Sequence, residues 1–447
     1  MIKLYSKNVL IEGKLTDAII CINHKKIVEL NLQPERDQVE QAIDYQDLVI
    51  MEGLIDAHVH INEPGRTNWE GFNSATRAAA KGGITTLIDM PLNSVPVTTN
   101  IKSFQSKIES TTDQLHVNCG FWGGLIPENA DTIDEILSTG VLGIKAFLTH
   151  SGIDEFPNVT EKDLRRAMPV IAKHQSRLLV HCELDSPHEG LGTLRKNPTH
   201  YLSYLASRPR SWENNAIRLM VSLAEEYKCP IHIVHLSSSD LLPQLQKWRS
   251  DGLPVTIETC PHYLCLSAES IPDGQTIYKC APPIREAANN DRLWEALGTG
   301  LIDFVVTDHS PAPPDLKALD TGDFDNAWGG ISGLQHSLSM TWTEAEKRGF
   351  HIADLGKWMS ENVAKFLGIN DRKGKIAVGY DADLVIWDPY EAYVIEKNDL
   401  EYRHQHSPYI GRQVKGKVHQ TYINGVCCYD QNNLCRLNEG KLILNKT

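Results

Sequence analysis

Short apolar runs alternate with longer stretches of helical patterning along most of this chain. From Leu54 onward, eight of these runs are rich in β-forming residues and continuously apolar, which is typical of parallel strands buried on both faces. Eight strands, each followed by a helix or a long loop, predict an α/β fold of the (β/α)8 barrel type. The predicted strands are 54–60, 84–90, 117–122, 142–148, 178–183, 231–236, 254–260 and 304–307, and the predicted helices include 73–81, 160–174, 215–227 and 291–297.

The two ends of the chain show a different pattern, in which short strands are separated by turns. Predicted strands lie at 17–22, 26–29 and 47–51 near the N-terminus and at 383–387, 393–396, 413–418 and 420–423 near the C-terminus. Each end is too short to bury a core alone, so we expect the two to pair into one small β-sandwich. The predicted organisation is therefore a barrel over 53–370, with 1–52 and 371–447 forming the sandwich.

Composition narrows the classes of partner. The 447 residues carry 44 Lys and Arg against 57 Asp and Glu, a net charge of -13. This acidity argues against nucleic acid and anionic membranes as partners, because both attract basic surfaces. No apolar run approaches the roughly 18 residues of a membrane span, and the N-terminus lacks a signal-peptide pattern. Ten cysteines without a CxxC pair indicate reduced thiols and a cytoplasmic protein.

Residues able to bind metal recur where the predicted strands end. Active sites of such barrels lie at the carboxyl ends of the strands, and a period of two places neighbouring alternate residues on one side of a strand. A single histidine there is readily explained as a core residue that binds no metal. Six matching positions instead predict a metal site, namely His58, His60, Lys145, His181, His235 and Asp308.

Lys145 requires a separate explanation because an ammonium with a reference pKa of about 10.4 cannot bind metal at neutral pH. One alternative is an ion pair with Asp308 or a nearby carboxylate. The other is carbamylation by carbon dioxide, which converts the cation into an anion with two oxygens that can bridge two metals. Four histidines, one carbamate and one aspartate are sufficient for a binuclear site.

Such a site predicts hydrolysis. Two divalent ions about 3.5–4 Å apart would lower the pKa of a bound water towards roughly 7 and polarise a carbonyl. Asp308 could then accept the proton of the resulting hydroxide and return it to a leaving nitrogen. Zinc is the first expectation for these ligands, and manganese and cobalt are also compatible with them.

These residues resemble the cyclic amidohydrolases, a family that includes dihydroorotases, hydantoinases or dihydropyrimidinases, and allantoinases. The resemblance covers essentially the whole chain, including the run GKIAVGYDADLVIWD at 374–388. It implies that the six residues bind two metal ions and that Lys145 is carbamylated (N6-carboxylysine). It also implies a homotetramer.

Local segments are similar to the allantoinase branch of this family, at 56–72, 89–94, 151–157, 279–285 and 327–335. The resemblance implies hydrolysis of the small molecule allantoin to allantoate by a metal-bound hydroxide, in purine degradation. A hydantoinase or dihydropyrimidinase is the alternative within the family, and a non-catalytic scaffold of the same fold is the alternative outside it.

Asn62 bears on the choice of substrate. Dihydroorotases place an arginine at this position to hold a substrate carboxylate, whereas a neutral amide suits an uncharged ring. Asn93 is a second candidate for hydrogen bonding to substrate, with capping of a turn as the alternative. The loop at 147–152 offers Thr149, His150 and Ser151 in place of the tyrosine usual in hydantoinases.

Backbone groups are also expected to line the substrate pocket. Gly329 and Gly330 would let the main chain approach the ring, with a plain turn as the alternative. Cys280 and Ala281 are predicted to contact the substrate through their backbones.

Overall fold

The computed structural model describes residues 1–185, 191–431, 433–434 and 438–445. No helix in these ranges is both long enough and apolar enough to cross a membrane. The strands are Ile2–Ile11, Lys14–Asn23, Lys26–Leu32, Ile43–Asp44, Val49–Glu52, Leu54–Val59, Ile84–Asp89, Asn118–Phe121, Gly123–Gly124, Ile144–Phe147, Leu178–His181, Ile231–Ile233, Val255–Thr259, Phe304–Val305, Leu384–Val394, Gln413–Ile423, Val426–Asp430, Asn433–Leu434 and Leu442–Ile443.

The α-helices lie mainly between the strands of the central region. They are Arg36–Val39, Phe72–Lys81, Ile101–Glu109, Ile133–Leu137, Glu161–Lys173, Leu191–Lys196, Tyr201–Ser207, Arg210–Tyr227, Leu242–Ser250, Pro261–Cys265, Ala287–Gly298, Ser337–Lys347, Ile352–Gly356 and Asn362–Leu367. Lys357–Glu361 is a π-helical turn, and Pro127–Asn129, Ala268–Ser270, Thr276–Tyr278 and Lys397–Asp399 are 3-10 turns.

Two parallel sheets contain the eight strands that the sequence predicts for the central region. One sheet joins the first three of these strands, and the other runs in chain order from Gly123–Gly124 to Phe304–Val305. The third predicted strand is split, with Asn118–Phe121 in the first sheet and Gly123–Gly124 in the second. At the other end, Val59 forms a parallel bridge with His309. The α/β class and the parallel pairing of these strands are confirmed.

Strands from both ends of the chain share one sheet. Its order places Leu384–Val394 against Val49–Glu52, and Val49–Glu52 against Ile2–Ile11. The sheet has nine strands in the described residues, and it includes Ile2–Ile11, which the sequence pattern did not predict. The last described strand, Leu442–Ile443, leaves this sheet and pairs in parallel with Asn118–Phe121.

The helix Phe72–Lys81 shows how the first sheet is packed. Four of its six buried residues are alanine, and Ala75, Ala78 and Ala79 are fully buried. Small side chains permit close approach of the helix to the neighbouring strand Ile84–Asp89, with which it is in contact.

Candidate active site

The six residues predicted to bind metal lie in or just after parallel strands, and five of them lie at the carboxyl ends. His58 and His60 flank the end of Leu54–Val59, and Lys145 lies within Ile144–Phe147. His181 ends its strand, while His235 and Asp308 follow theirs by two and three residues. The structure buries every one of the six, with at most 7% of the residue surface exposed. The shared location was predictable from the pattern of strands alone.

Asp308 lies at the centre of the histidines. Its Oδ1 is 3.2 Å from Nε2 of His58 and 3.4 Å from Nε2 of His60. One ligand atom each from His58, His235 and Asp308 lies within 4.8 Å of the others. On the opposite side, Nε2 of His235 is 3.0 Å from Nδ1 of His181. Five of the six predicted side chains thus place a nitrogen or oxygen in one buried cluster.

In His58, His60 and His181, the ring nitrogen that faces away from the cluster has a hydrogen-bond partner. Nδ1 of His58 lies 2.5 Å from Oε1 of Glu258, and Nδ1 of His60 lies 3.0 Å from the carbonyl of Leu92. When a carboxylate or carbonyl accepts a hydrogen bond from the N–H at Nδ1, the neutral ring keeps its lone pair on Nε2, which faces the cluster. The ring orientations therefore suit ligation by Nε2 of both residues.

In His181 the roles of the two ring nitrogens are reversed. Its Nε2 is 2.8 Å from Oε2 of Glu183, which leaves Nδ1 unprotonated and facing His235. Glu183 also accepts two hydrogen bonds from Arg208. Burial alone would raise the pKa of Glu183, but the positive charge of Arg208 and the hydrogen bond with His181 lower it below its usual range. Glu183 therefore remains a carboxylate and fixes the histidine.

Glu183 and Glu258 were missed as supporting residues in the sequence. Both are fully buried, and Glu258 also binds Nε2 of His232 at 2.9 Å. A signal was present, because a glutamate inside an otherwise apolar strand is costly unless it is paired. The partner of each could not be read from spacing, since His58 and Glu258 are 200 residues apart.

Lys145 is fully buried, and its Nζ has no hydrogen-bond partner among the described residues. The Nζ lies 5.0 Å from the ring centre of Phe147, which stacks on His181. Burial lowers the pKa of Lys145 to about 8, against the opposing effect of Glu258 and Asp308. The ion pair offered as an alternative for Lys145 is not formed at 4.0 Å or less with any described carboxylate.

The backbone at the cluster is unusual. His235 and Asp308 have φ values of +39° and +45°, and Asn62 has a φ of +67°. Left-handed backbone is uncommon outside glycine and tends to occur where a functional side chain must be placed. Burial alone would raise the pKa of Asp308, but the neighbouring imidazoles of His58, His235 and His60 lower it below its usual range.

A cavity of about 480 Å³ opens above the cluster, and His58, His60, His181, His235 and Asp308 form part of its floor. Of the residues predicted to contact substrate, Asn93, Ser151, Ala281 and Gly329 line it. Thr149 and His150 line it as well, and so do Tyr204, Arg208, Lys279 and Trp328, which the sequence did not single out.

The other three predicted substrate contacts lie behind this wall. Asn62 is fully buried and accepts a hydrogen bond from Asn93. The carbonyl of Cys280 accepts one from the hydroxyl of Tyr204. Gly330 packs so closely on Ser310 that an added Cβ would lie 2.2 Å from its carbonyl oxygen. These three residues support neighbours that line the cavity.

Comparison with known proteins agrees with this geometry. The model of the amidohydrolase family matches residues 49–428. An allantoinase from Streptomyces avermitilis is 47% identical over 382 residues, covering 86% of this chain and 84% of the relative. An allantoinase from Arabidopsis thaliana is 45% identical over 404 residues, covering 88% of this chain and 79% of the relative.

Among solved structures, an L-hydantoinase (dihydropyrimidinase) from Arthrobacter aurescens has a TM-score of 0.91 and 29% identity, with full coverage of both chains. The chain belongs to the amidohydrolase family.

Proposed function

We infer that this protein is a metal-dependent cyclic amidohydrolase that opens the hydantoin ring of allantoin to give allantoate, in purine degradation. The observation that carries the chemistry is the position of Asp308, within 3.4 Å of two histidines on the floor of the cavity. The substrate follows from the allantoinases, which match most of the chain at more than 40% identity.

We propose that His58, His60, His181, His235, Asp308 and a carbamylated Lys145 hold two divalent ions, with zinc as the first expectation and manganese or cobalt as alternatives. The facing nitrogens of His181 and His235 support this assignment. Each is directed at the other at 3.0 Å, and Nδ1 of His181 carries no proton while Nε2 bonds Glu183. Imidazole is a common ligand for these metals, and these two nitrogens would hold a metal ion in place of their mutual contact.

The carbamate is supported by the surroundings of Lys145. A buried ammonium without a partner is costly, and its Nζ is such a group. Attack of the neutral amine on carbon dioxide forms a C–N bond and releases one proton, which leaves an anion. That anion would balance part of the positive charge of two divalent ions, which Asp308 alone does not balance.

Bound metal ions supply Lewis-acid polarisation of the ring carbonyl and a more acidic water. The residues of the chain supply proton transfer and orientation. In the net reaction, water adds its oxygen to the carbonyl carbon, the ring C–N bond breaks, and one proton of the water ends on the departing nitrogen. Asp308 is placed to accept that proton and deliver it.

Residues that line the cavity orient the substrate ring. Among the described residues, neither the N–H nor the carbonyl of Gly329 has a hydrogen-bond partner, and Gly329 lines the cavity. Asn93 offers its side-chain oxygen, and Ser151 offers its hydroxyl oxygen as an acceptor, because the hydroxyl donates to the carbonyl of Phe156 at 2.6 Å. Asn62 acts through Asn93 in this proposal, and Cys280 and Gly330 act through Ala281 and Gly329. An uncharged ring with several N–H and C=O groups matches such neutral partners.

Hydantoin hydrolysis is a second candidate because the L-hydantoinase matches the full length of the fold. Turnover of allantoin, hydantoin, dihydrouracil and dihydroorotate by one metal-loaded sample separates the two. We expect the highest kcat/KM for allantoin. A higher value for another ring would overturn the substrate assignment and leave the hydrolytic chemistry in place.

A Lys145→Ala variant tests the carbamate. We expect it to lose metal and activity, and short carboxylic acids such as acetate or propionate to restore both in part by replacing the missing anion. Wild-type activity of this variant without an added acid would contradict the assignment.

We further propose that the two parallel sheets are parts of one (β/α)8 barrel over 53–370, with 1–52 and 371–447 as a β-sandwich. The segment 118–124 contributes to both sheets, and the N–H of His60 donates to the carbonyl of His309 at 2.7 Å. A homotetramer and a cytoplasmic location stay predictions from the sequence. The mass of the protein by light scattering tests the tetramer.

A further inference from the structure

Lys317 is a buried lysine beside the cavity that the proposed chemistry does not use. It is 2% exposed and follows Leu316, which lines the cavity. Its Nζ donates hydrogen bonds to the carbonyls of Lys279 at 2.7 Å, Trp328 at 3.0 Å and Gly330 at 2.6 Å. None of its acceptors is a carboxylate. The side chain therefore ties three backbone groups together.

Three acceptors require three N–H donors. An ammonium provides three, whereas a neutral amine has two N–H groups and a lone pair that would face a carbonyl. Burial lowers the pKa of Lys317 to about 7, and the three carbonyls act in the opposite direction by binding the charged form. The geometry is that of a protonated lysine.

The tied segments are those that form the substrate-facing wall. Gly329 lies between the two acceptors Trp328 and Gly330, and an added Cβ on Gly329 would lie 3.8 Å from Ala281. The carbonyl of Lys279 accepts a second bond from the N–H of Gly330 at 3.0 Å. Both segments are thus fixed to one another next to the free polar groups of Gly329.

These hydrogen-bonded segments also contact the backbone next to Asp308, one of the proposed metal ligands. Gly330 packs against the carbonyl of Ser310, and the N–H of Ser310 donates to the carbonyl of Ile331 at 3.0 Å. Ser310 is two residues from Asp308. A single ammonium therefore connects the ring-facing backbone to the strand end that carries the proposed proton carrier.

We propose that Lys317 is a positioning residue that sets the distance between the substrate-facing backbone at 279–281 and 328–330 and the catalytic floor. This inference rests on the proposed function. With the ammonium removed, the three carbonyls lose their donor, and the Gly329 backbone shifts relative to Asp308. Misplacement by about 1 Å costs about a hundredfold in rate.

The test compares Lys317→Met, which keeps length and removes the charge, with Lys373→Met. Lys373 is 4% exposed and pairs with Asp381 and Asp383, and none of these three lines the cavity. Both variants remove a buried cation, so both are expected to lower the melting temperature. Only Lys317→Met is expected to raise KM for allantoin and to lower kcat/KM about a hundredfold, with the metal content per subunit unchanged.

A folded Lys317→Met protein with the kcat/KM of the wild type would overturn the inference, and so would an equal loss in Lys373→Met. If Lys317→Met fails to fold, Lys317→Arg serves instead, because it keeps the charge but has a planar head that cannot meet three converging carbonyls equally. A raised KM in that variant supports the tie, and an unchanged KM contradicts it. Failure of the wild type to hydrolyse allantoin would contradict the proposed function, and it is distinguishable from failure of this inference because it does not depend on the variants.

Discussion

The side-chain amide of Asn93 donates a hydrogen bond of 3.0 Å to the side-chain carbonyl of Asn62. Asn62 donates in turn to the carbonyl of Pro311 at 3.3 Å. Asn93 lines the cavity and Asn62 lies behind it. Because Asn93 donates through its side-chain nitrogen, its side-chain oxygen is free to accept a hydrogen bond from a substrate N–H. Asn62 thus acts by orienting Asn93.

This relationship predicts that the two asparagines act as a unit. We expect Asn93→Ala to lower kcat/KM for allantoin by roughly tenfold, as for loss of one hydrogen bond worth about 1.4 kcal/mol. Asn62→Ala should lower it by a similar factor because it releases Asn93. The double variant should lose little more than either single variant. Losses that multiply in the double variant would show that the two act separately.

Glu258 is predicted to set the metal affinity through His58. Replacement by glutamine keeps the shape but removes the anion that holds Nδ1 of His58 and Nε2 of His232. We expect Glu258→Gln to weaken metal binding about 10- to 100-fold, as is usual for loss of a partner of a ligating histidine. Competition with a chromophoric chelator measures this.

The matched control is Glu52→Gln, which replaces another buried carboxyl. Glu52 is 7% exposed and contacts the region of Gly356 rather than the histidines. Metal affinity equal to that of the wild type is expected for this variant. An equal weakening in both variants would mean that the effect does not depend on the pairing of Glu258 with His58.

The positions of the six proposed ligands could be predicted because each depends on a local pattern, an apolar run ending in a polar residue. The same reasoning missed the strand Ile2–Ile11, whose buried positions do not alternate regularly, and the start of Arg210–Tyr227, which begins directly after Pro209. Contacts between residues far apart in the chain, such as Glu258 with His58 or Lys317 with Lys279, cannot be predicted from residue spacing. For Asn62, the residue type indicated an uncharged substrate, but the sequence did not show that its side chain lies behind Asn93.

The carboxyl of Glu52 predicts a pH dependence of stability away from the metal cluster. Burial raises the pKa of Glu52 from 4.5 to about 8. The folded protein therefore holds this proton up to about pH 8, whereas the unfolded chain releases it above about pH 4.5. The stabilisation is complete below pH 4.5 and is lost as the pH rises to 8, by up to about 1.4 kcal/mol for each pH unit.

Glu52→Gln removes this titration, so the variant should gain stability relative to the wild type between pH 5 and pH 8. Urea unfolding of both proteins at these two values measures the difference. A difference between the two proteins that stays constant with pH would mean that Glu52 is ionised in the folded state.

Gly152 faces Trp328 across the mouth of the cavity, and both residues line it. Gly152 has a φ of +98°, and a Cβ added there would lie 3.1 Å from Cζ3 of the indole. Trp328 packs edge-on against Trp69 at 4.9 Å between ring centres, so it has little room to retreat. We expect Gly152→Ala to displace the indole into the cavity and to raise KM for allantoin several-fold.

Gly379→Ala is the control that distinguishes the clash with Trp328 from the strain of alanine at positive φ. Gly379 has a φ of +91°, close to that of Gly152, but nothing lies within 4 Å of an added Cβ there. Both variants should lose about 1 kcal/mol of stability because alanine is strained at positive φ, and only Gly152→Ala should change KM. Steady-state kinetics on allantoin and thermal unfolding provide the two measurements. An unchanged KM in a folded Gly152→Ala protein would show that the indole does not limit access of the ring.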